Sequence, residues 1–407
     1  MANSRPGPAW FVYNPPMPTS TRRTFVRNSL ALTGLAALGV PEWALPTLAA
    51  GDTLVPFTDL PATINLTPTP DRRLLDIRTI DGLLTPPAHF YTIQHYGHPV
   101  LDPGTFRLSV TGLVDRTLSL SLDDLRKMKQ VDVVAGFECS GNSRPLQGLS
   151  SNGRWTGVPL RTVLERAGVK ADAHEFVFFG ADHGEEDVDF RGRITKVDQQ
   201  FGRSLPREKA FAKEPLVALS MNGEPLTRHQ GFPLRLIVPG WYGVANVKWL
   251  AQIHAQEDAY LGKYQARWYR TLRGETINGE VKWKESAVTH QQLKSFIARV
   301  STPSGASSGV HTVLGVVLHD GATPIRGVEV KVDDGPWQAA TLDAASMKHA
   351  YSWKLFTFDW KGATPGDHTL VSRVTDVKGR VQPTAEDLAS KKTFLEDNSQ
   401  YPRKVRL

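Results

Sequence analysis

Val131-Asp132-Val133-Val134-Ala135-Gly136-Phe137 leads directly into Glu138-Cys139-Ser140-Gly141-Asn142-Ser143-Arg144. An apolar run rich in β-branched residues reads as a buried strand, and the small residues after it as a loop. Gly and Asn permit unusual backbone angles and let a bulky ligand come close. The loop presents one thiol beside an arginine, a cation that would favour the thiolate and draw in an anion. A lone cysteine is also commonly an inert buried side chain, so this segment alone leaves both roles open.

A second segment bears on the choice. Gln230-Gly231-Phe232-Pro233-Leu234-Arg235-Leu236-Ile237-Val238-Pro239-Gly240-Trp241-Tyr242-Gly243-Val244-Ala245-Asn246-Val247-Lys248-Trp249-Leu250 sets an apolar strand between two cations, with a Gly-rich turn inside it. Loop amides and two cations suit a phosphate or pterin group. Composition alone favours a hairpin with surface cations.

The rest of the chain sets bounds on these segments. It has 407 residues, 40% hydrophobic and 22% charged, which describes globular protein and more than one core. Gly 34 and Pro 28 favour turns and strands over a helical bundle. The net charge of +7 is partly N-terminal, and no basic stripe with interleaved aromatics is present, so nucleic acid is not indicated. The single cysteine forbids an internal disulfide, a paired-thiolate zinc site and a C-x-x-C-H haem.

Thr21-Arg22-Arg23-Thr24-Phe25-Val26-Arg27 precedes a mildly apolar stretch from Asn28 to Val40, and Leu48-Ala49-Ala50-Gly51 offers a cleavage site. This is a twin-arginine export pattern, a receptor-read address and not an anchor. Its apolar run of ~13 residues is short of the ~20 that span a bilayer, so no stable membrane span is expected and a periplasmic location is. Export of an already folded protein agrees with a chain that has no disulfide partner.

Residues 51–80, punctuated by Pro56, Pro61, Pro68 and Pro70, read as a loose wrap around the body. Phe106 to Val110 alternates like a half-buried strand. Ser121 caps a helix with an acidic first turn, and Leu160 to Ala167 reads as a second helix, ended by Gly168. Near Gln291 the texture changes. Val313 to Leu318, Val328 to Val332, Ala350 to Trp360 and His368 to Thr375 are strand candidates without helices between them, which indicates an antiparallel sandwich.

Together the C-S-G-N-S-R and G-F-P-L-R-L-I-V-P-G…N-V-K-W-L runs resemble the sulfite oxidase family of molybdenum enzymes. The resemblance extends from about Leu83 to the C-terminus. Gly180-Ala181-Asp182, Phe201-Gly202-Arg203-Ser204-Leu205-Pro206 and Val328-Glu329-Val330…Asp334-Gly335…Trp337 add to it. It implies an α+β fold: a mixed α/β molybdopterin-binding domain over 51–288, then an immunoglobulin-like β-sandwich over 289–407 of the kind that mediates dimerisation, after a 1–50 signal segment. It implies one Mo-molybdopterin per chain, with Cys139 as the protein thiolate on the metal, a soft ligand for it. Tyr91, Thr92, His95, Asp182, Gln230, Arg235, Asn246, Val247 and Lys248 fall where the family holds the pterin and its phosphate. Tyr269 matches the tyrosine beside the metal, Arg144 a substrate-pocket arginine and Lys354 a second pocket cation. The implied reaction is oxygen-atom transfer at a Mo-oxo centre, oxidising sulfite to sulfate, with electrons leaving to an external cytochrome c and no haem in this chain.

The chain departs from the family at Ile93, where relatives carry arginine, and at Lys354, again in place of arginine. A planar bidentate cation binds an oxyanion better than an aliphatic group or a point charge does. A relative acting on another sulfur compound, oxyanion or sulfoxide therefore stands as an alternative. A cofactor-free scaffold is an alternative of another class.

Overall fold

The structure, a computed structural model, describes residues 48, 50–60, 72–142 and 145–407. Apart from residues 48 and 50, the expected export segment lies outside these residues.

Three sheets organise the described chain. The first runs β11 (Glu224–Pro225), β10 (Leu216–Met221), β7 (Ser150–Pro159), β6 (Val131–Glu138), with β12 (Arg235–Ile237) also on β10. The second runs β5 (Leu118–Leu120), β4 (Leu108–Gly112), β13 (Leu250–Gln256), β8 (Glu175–Phe190), β9 (Arg193–Pro206), its β4–β13 pair being parallel. The third has eight antiparallel strands, in the order β1 (Thr53–Leu54), β16 (Lys294–Thr302), β17 (Val310–Leu318), β20 (Lys354–Lys361), β19 (Gln338–Leu342), β18 (Ile325–Val332), β21 (Asp367–Asp376), β22 (Arg403–Arg406). Two ribbons complete the set, β2 (Arg72–Arg73) with β3 (Thr92–Ile93) and β14 (Arg270–Ile277) with β15 (Glu280–Ala287).

Local signals explain the short helices. Helix α1 (Leu122–Arg126) starts at Ser121, whose hydroxyl accepts from Asp124 N while the Asp124 carboxylate accepts from Ser121 N. Helix α2 (Leu160–Ala167) buries Leu160, Val163, Leu164 and Ala167, one stripe at helical spacing, and ends on Gly168 at φ +68°. Those side chains pack on Leu108, Val110, Phe176, Phe178 and Ile253 of the second sheet. Each buried leucine contributes about 2 kcal/mol. Helices α3 (Arg207–Ala210) and α4 (Ala344–Met347) are single turns.

The third sheet differs from expectation at its margins. The four strand candidates correspond to β17, β18, β20 and β21, but β1, β16, β19 and β22 join them. Residues 53–60 do not wrap loosely: β1 pairs with β16, and Phe57 and Leu60 enter a core with Val313, Val328, Phe356 and Val374. Pairing partners hundreds of residues away supply strand structure that short local patterns do not announce. Among the described residues, no helix is long and apolar enough to cross a membrane.

Candidate active site

Cys139 follows the last residue of β6, and its N–H donates to Leu149 O at 2.9 Å. The loop closes at Asn142, whose N–H donates to Cys139 O at 2.8 Å. The thiol stands at the wall of a cleft that is partly open to solvent.

The Gln230–Leu250 segment also lines the cleft, and it is not a simple surface hairpin. Its two ends belong to different sheets, β12 to the first and β13 to the second, so the stretch crosses the junction where the cleft opens. Gly231, at φ +99°, allows this: a Cβ there would lie 2.8 Å from Lys248 Cβ. Arg235 is buried, not a surface cation. Its Nη1 donates to Gln230 O at 3.0 Å, its Nη2 to Asn246 O at 3.1 Å, and its guanidinium lies 4.8 Å from the Trp155 ring centroid. Lys248 Nζ donates to Ile93 O at 3.2 Å and Gln94 Oε1 at 3.1 Å. Asp182 arrives from β8, where the register with β9 breaks between Phe179 and His183 and Ala181 N donates to Trp249 O at 2.9 Å.

On a third side His95 Nε2 and the Tyr269 hydroxyl are 2.7 Å apart. His95 also stacks on Tyr264, with ring centroids 4.5 Å apart. Tyr91, Thr92, His95, Cys139, Asp182, Arg235, Asn246, Lys248 and Tyr269 all line the cleft. So the structure gathers nine of the thirteen expected site residues from five separated segments.

The other four need correction or lie elsewhere. Gln230 sits behind the wall, its amide donating to Pro87 O at 3.0 Å and bonded to Thr227, while its carbonyl anchors Arg235. Val247 is packed in the core with Leu236 and Leu250, because an apolar side chain in this crossing gains more from the core than from the cleft. Lys354 does not reach the cleft: its ammonium is occupied by the carbonyls of Ser346 in α4 and of His349 and Ala350 in the turn after it. Arg144 lies outside the described residues.

Sequence reading assigned no site role to Phe137, Phe201, His229 and Trp249, which also line the cleft. Phe137 and Trp249 stand beside residues the motifs singled out, and that adjacency was the available signal.

Electrostatics set the state of each group. Burial pushes the Cys139 thiol up to about 11, and the Gly141 N–H only partly opposes this. Burial thus works against the thiolate, and a bound cation would draw off the proton; Arg144, the residue expected to favour the thiolate, lies outside the described residues. Burial raises Asp182 and lowers Lys248, each opposed by the charge of the other. Burial also lowers Arg235. Burial, then Lys263 and Lys248, push His95 down to about 4, so it is neutral near pH 7.

That last shift has a measurable consequence. Between its ordinary 6.5 and about 4 the unfolded chain takes up a proton that folded His95 refuses. Stability present above 6.5 is therefore lost as pH falls toward 4, by up to about 3 kcal/mol. Asp182, whose pKa is raised, works in the opposite direction on acidification. His95→Gln should accordingly lose about 3 kcal/mol less than wild type between pH 7 and 4 in urea titrations. Parallel losses in the two proteins would refute a neutral buried His95.

Two cleft-lining residues carry buried polar atoms with no partner, Asp182 Oδ1 and Arg235 Nε. Such groups are costly unless a ligand completes them. The donor set suits an anionic, hydrogen-bonding group beside a soft metal ion: two cations, an asparagine amide and one sulfur line the same cleft.

Residues 95–264 match the family described as the oxidoreductase molybdopterin binding domain. The chain is 30% identical to the sulfite oxidase of Gallus gallus, covering 74% of this chain and 69% of that protein. It is 29% identical to the mitochondrial sulfite oxidase of Homo sapiens, covering 92% and 71%. With the mitochondrial sulfite oxidase of Mus musculus it shares 30% identity, spanning 58% of that protein's length. Among solved structures, the sulfane dehydrogenase SoxCD from Paracoccus pantotrophus is similar in fold, with a TM-score of 0.68 at 23% identity, over 87% of this chain and 91% of that one.

Proposed function

The chain belongs to the sulfite oxidase family of molybdopterin oxidoreductases, and on that premise we propose that it oxidises sulfite to sulfate and hands the electrons to an external cytochrome c. One observation carries this reading: a thiol, a buried arginine with a half-buried lysine, and a neutral histidine–tyrosine pair share one cleft. In the proposal Cys139 ligates molybdenum, Arg235 and Lys248 hold the pterin phosphate, and Asp182 and Asn246 orient the pterin. The cofactor, when bound, supplies the oxygen-atom transfer and the two-electron redox change.

The remaining roles belong to the chain. Held neutral, His95 in its Nδ1-protonated form accepts the Tyr269 hydroxyl at Nε2 and fixes that hydroxyl at the cleft wall. Phe137, Phe201 and Trp249 exclude water on the apolar sides, which strengthens each polar contact inside.

Sulfite-dependent reduction of added cytochrome c, by protein carrying molybdenum, tests the proposal. Absence of turnover at millimolar sulfite with the metal present would overturn the substrate assignment and leave the family untouched. A second reading, another sulfur compound, is favoured by Ile93 lining the cleft and Lys354 being turned away from it. A cation 4 Å from an anion is worth about 4 kcal/mol at an effective dielectric of ~20, before desolvation. If sulfite is the substrate, Ile93→Arg should therefore lower its KM, by roughly tenfold after that cost. An unchanged or higher KM would favour the second reading.

We also read residues 289–407 as an immunoglobulin-like, dimer-forming sandwich after a catalytic domain over 51–288, with residues 1–50 as a twin-arginine address to the periplasm. The facing halves of the third sheet support the first part, and the Arg22-Arg23 pattern the last. A monomer by light scattering would remove the dimer from the proposal.

A further inference from the structure

Against the Cys139 loop, and not among the residues that line the cleft, lies a buried ion pair. Lys294 is the first residue of β16 in the third sheet, and Glu138 ends β6 in the first. Lys294 Nζ donates to Glu138 Oε1 at 2.7 Å, and both side chains are only 2% exposed. The ammonium also donates to Asn142 O at 3.1 Å, and Asn142 Nδ2 donates to the same Glu138 oxygen at 3.0 Å. Asn142 Oδ1 in turn accepts from Leu149 N at 3.0 Å. The residues flanking Cys139 on both sides are thus tied to one cation that comes from another sheet.

Such a pair is a poor way to join two sheets. Apolar side chains of similar volume hold as well or better, because two charges must be stripped of water. The second carboxylate oxygen, Glu138 Oε2, is buried with no partner, so even the pair's own satisfaction is incomplete. What the pair provides, and apolar packing does not, is direction. Charge-assisted hydrogen bonds fix angle as well as distance, and here they converge on a loop whose only chemically distinctive atom is one sulfur.

We propose that Lys294, acting through Glu138 and Asn142, is a positioning residue for the metal ligand. It holds the 138–142 loop so that Cys139 Sγ meets the metal, and so couples the third sheet to the metal centre. The inference rests on the reading of Cys139 as that ligand. Outer partners of metal ligands set ligand orientation, and their loss typically lowers metal affinity about 10–100-fold.

The experiment uses protein produced in a host that makes the pterin, with molybdenum per chain and the Mo–S contacts by X-ray absorption as readouts. Cys139→Ser provides the reference with one Mo–S contact fewer. Wild type is measured first, and molybdenum-free wild type would overturn the ligand reading and with it this inference. With loaded wild type, Lys294→Met should retain about tenfold less molybdenum, or lose the same contact that Cys139→Ser loses. Because that variant leaves a buried carboxylate unpaired at a cost to folding, Glu138→Gln/Lys294→Met is the deciding variant, with no charge left alone. It should recover the wild-type melting temperature yet still lack the full molybdenum content or the sulfur contact. Wild-type metal content and Mo–S contacts in the double variant, with or without a changed melting temperature, would overturn the positioning role and leave the ligand reading intact.

Discussion

Cys139→Ser should abolish turnover while leaving a folded protein that still retains pterin. The thiol is the one thiol the chain possesses, and it stands at the wall of the cleft. A serine hydroxyl is slightly smaller and much harder, and it does not replace a thiolate on a soft metal site. Losing an outer-shell partner typically costs 10–100-fold, so losing the ligand itself should exceed about 100-fold in kcat. The fold should survive, because the loop is held chiefly by main-chain bonds from Cys139 N and Asn142 N and by the Glu138–Asn142 contact, and a serine oxygen can still accept from the Gly141 N–H. The measurement is steady-state turnover beside far-UV circular dichroism and pterin fluorescence. Persistent turnover within tenfold of wild type would remove Cys139 from the metal.

Lys248→Met should yield protein nearly free of cofactor. Lys248 is tied to the β3 segment by its bonds to Ile93 O and Gln94 Oε1, and its charge opposes that of Asp182. Methionine keeps the stem and removes the charge. A phosphate about 4 Å away would lose an attraction of about 4 kcal/mol at an effective dielectric of ~20, which is close to a thousandfold before desolvation is counted. The observed loss should be smaller, about 10–100-fold in affinity, because the uncharged site no longer has to desolvate the ammonium. Asp182 would also be left as a buried carboxylate without its cation, so the melting temperature should fall. Molybdenum and pterin per chain are the readouts. Lys248→Arg, which keeps the charge on a bulkier group, should retain an intermediate amount. Lys248→Met that purifies with wild-type cofactor content would show that this cation does not hold the phosphate.

How much of this site was legible in advance depended on the range of the interactions involved. The small-residue loop after β6, the Ser121 cap with Asp124, the Gly168 stop and the alternation of Phe106, Leu108 and Val110 are encoded within a few residues of each other, and the structure realises them. The long β8–β9 ribbon was not foreseen: its outer half alternates in register but carries charge on both faces, so neither face reads as buried. Arg235 looked like a surface cation because local composition does not reveal the Trp155 and Phe137 rings that cover it.

By itself, the sequence determined the presence of one thiol in a permissive loop, the cationic segment, and the family to which both point. The tertiary structure alone decided that Lys354 would be turned away onto carbonyls, that His95 would meet Tyr269 across 174 positions, and that Lys294 would reach Glu138 across 156. The reason is physical. Backbone preferences act between neighbours in the chain, whereas the burial and pairing of a charge depend on every segment that folds around it.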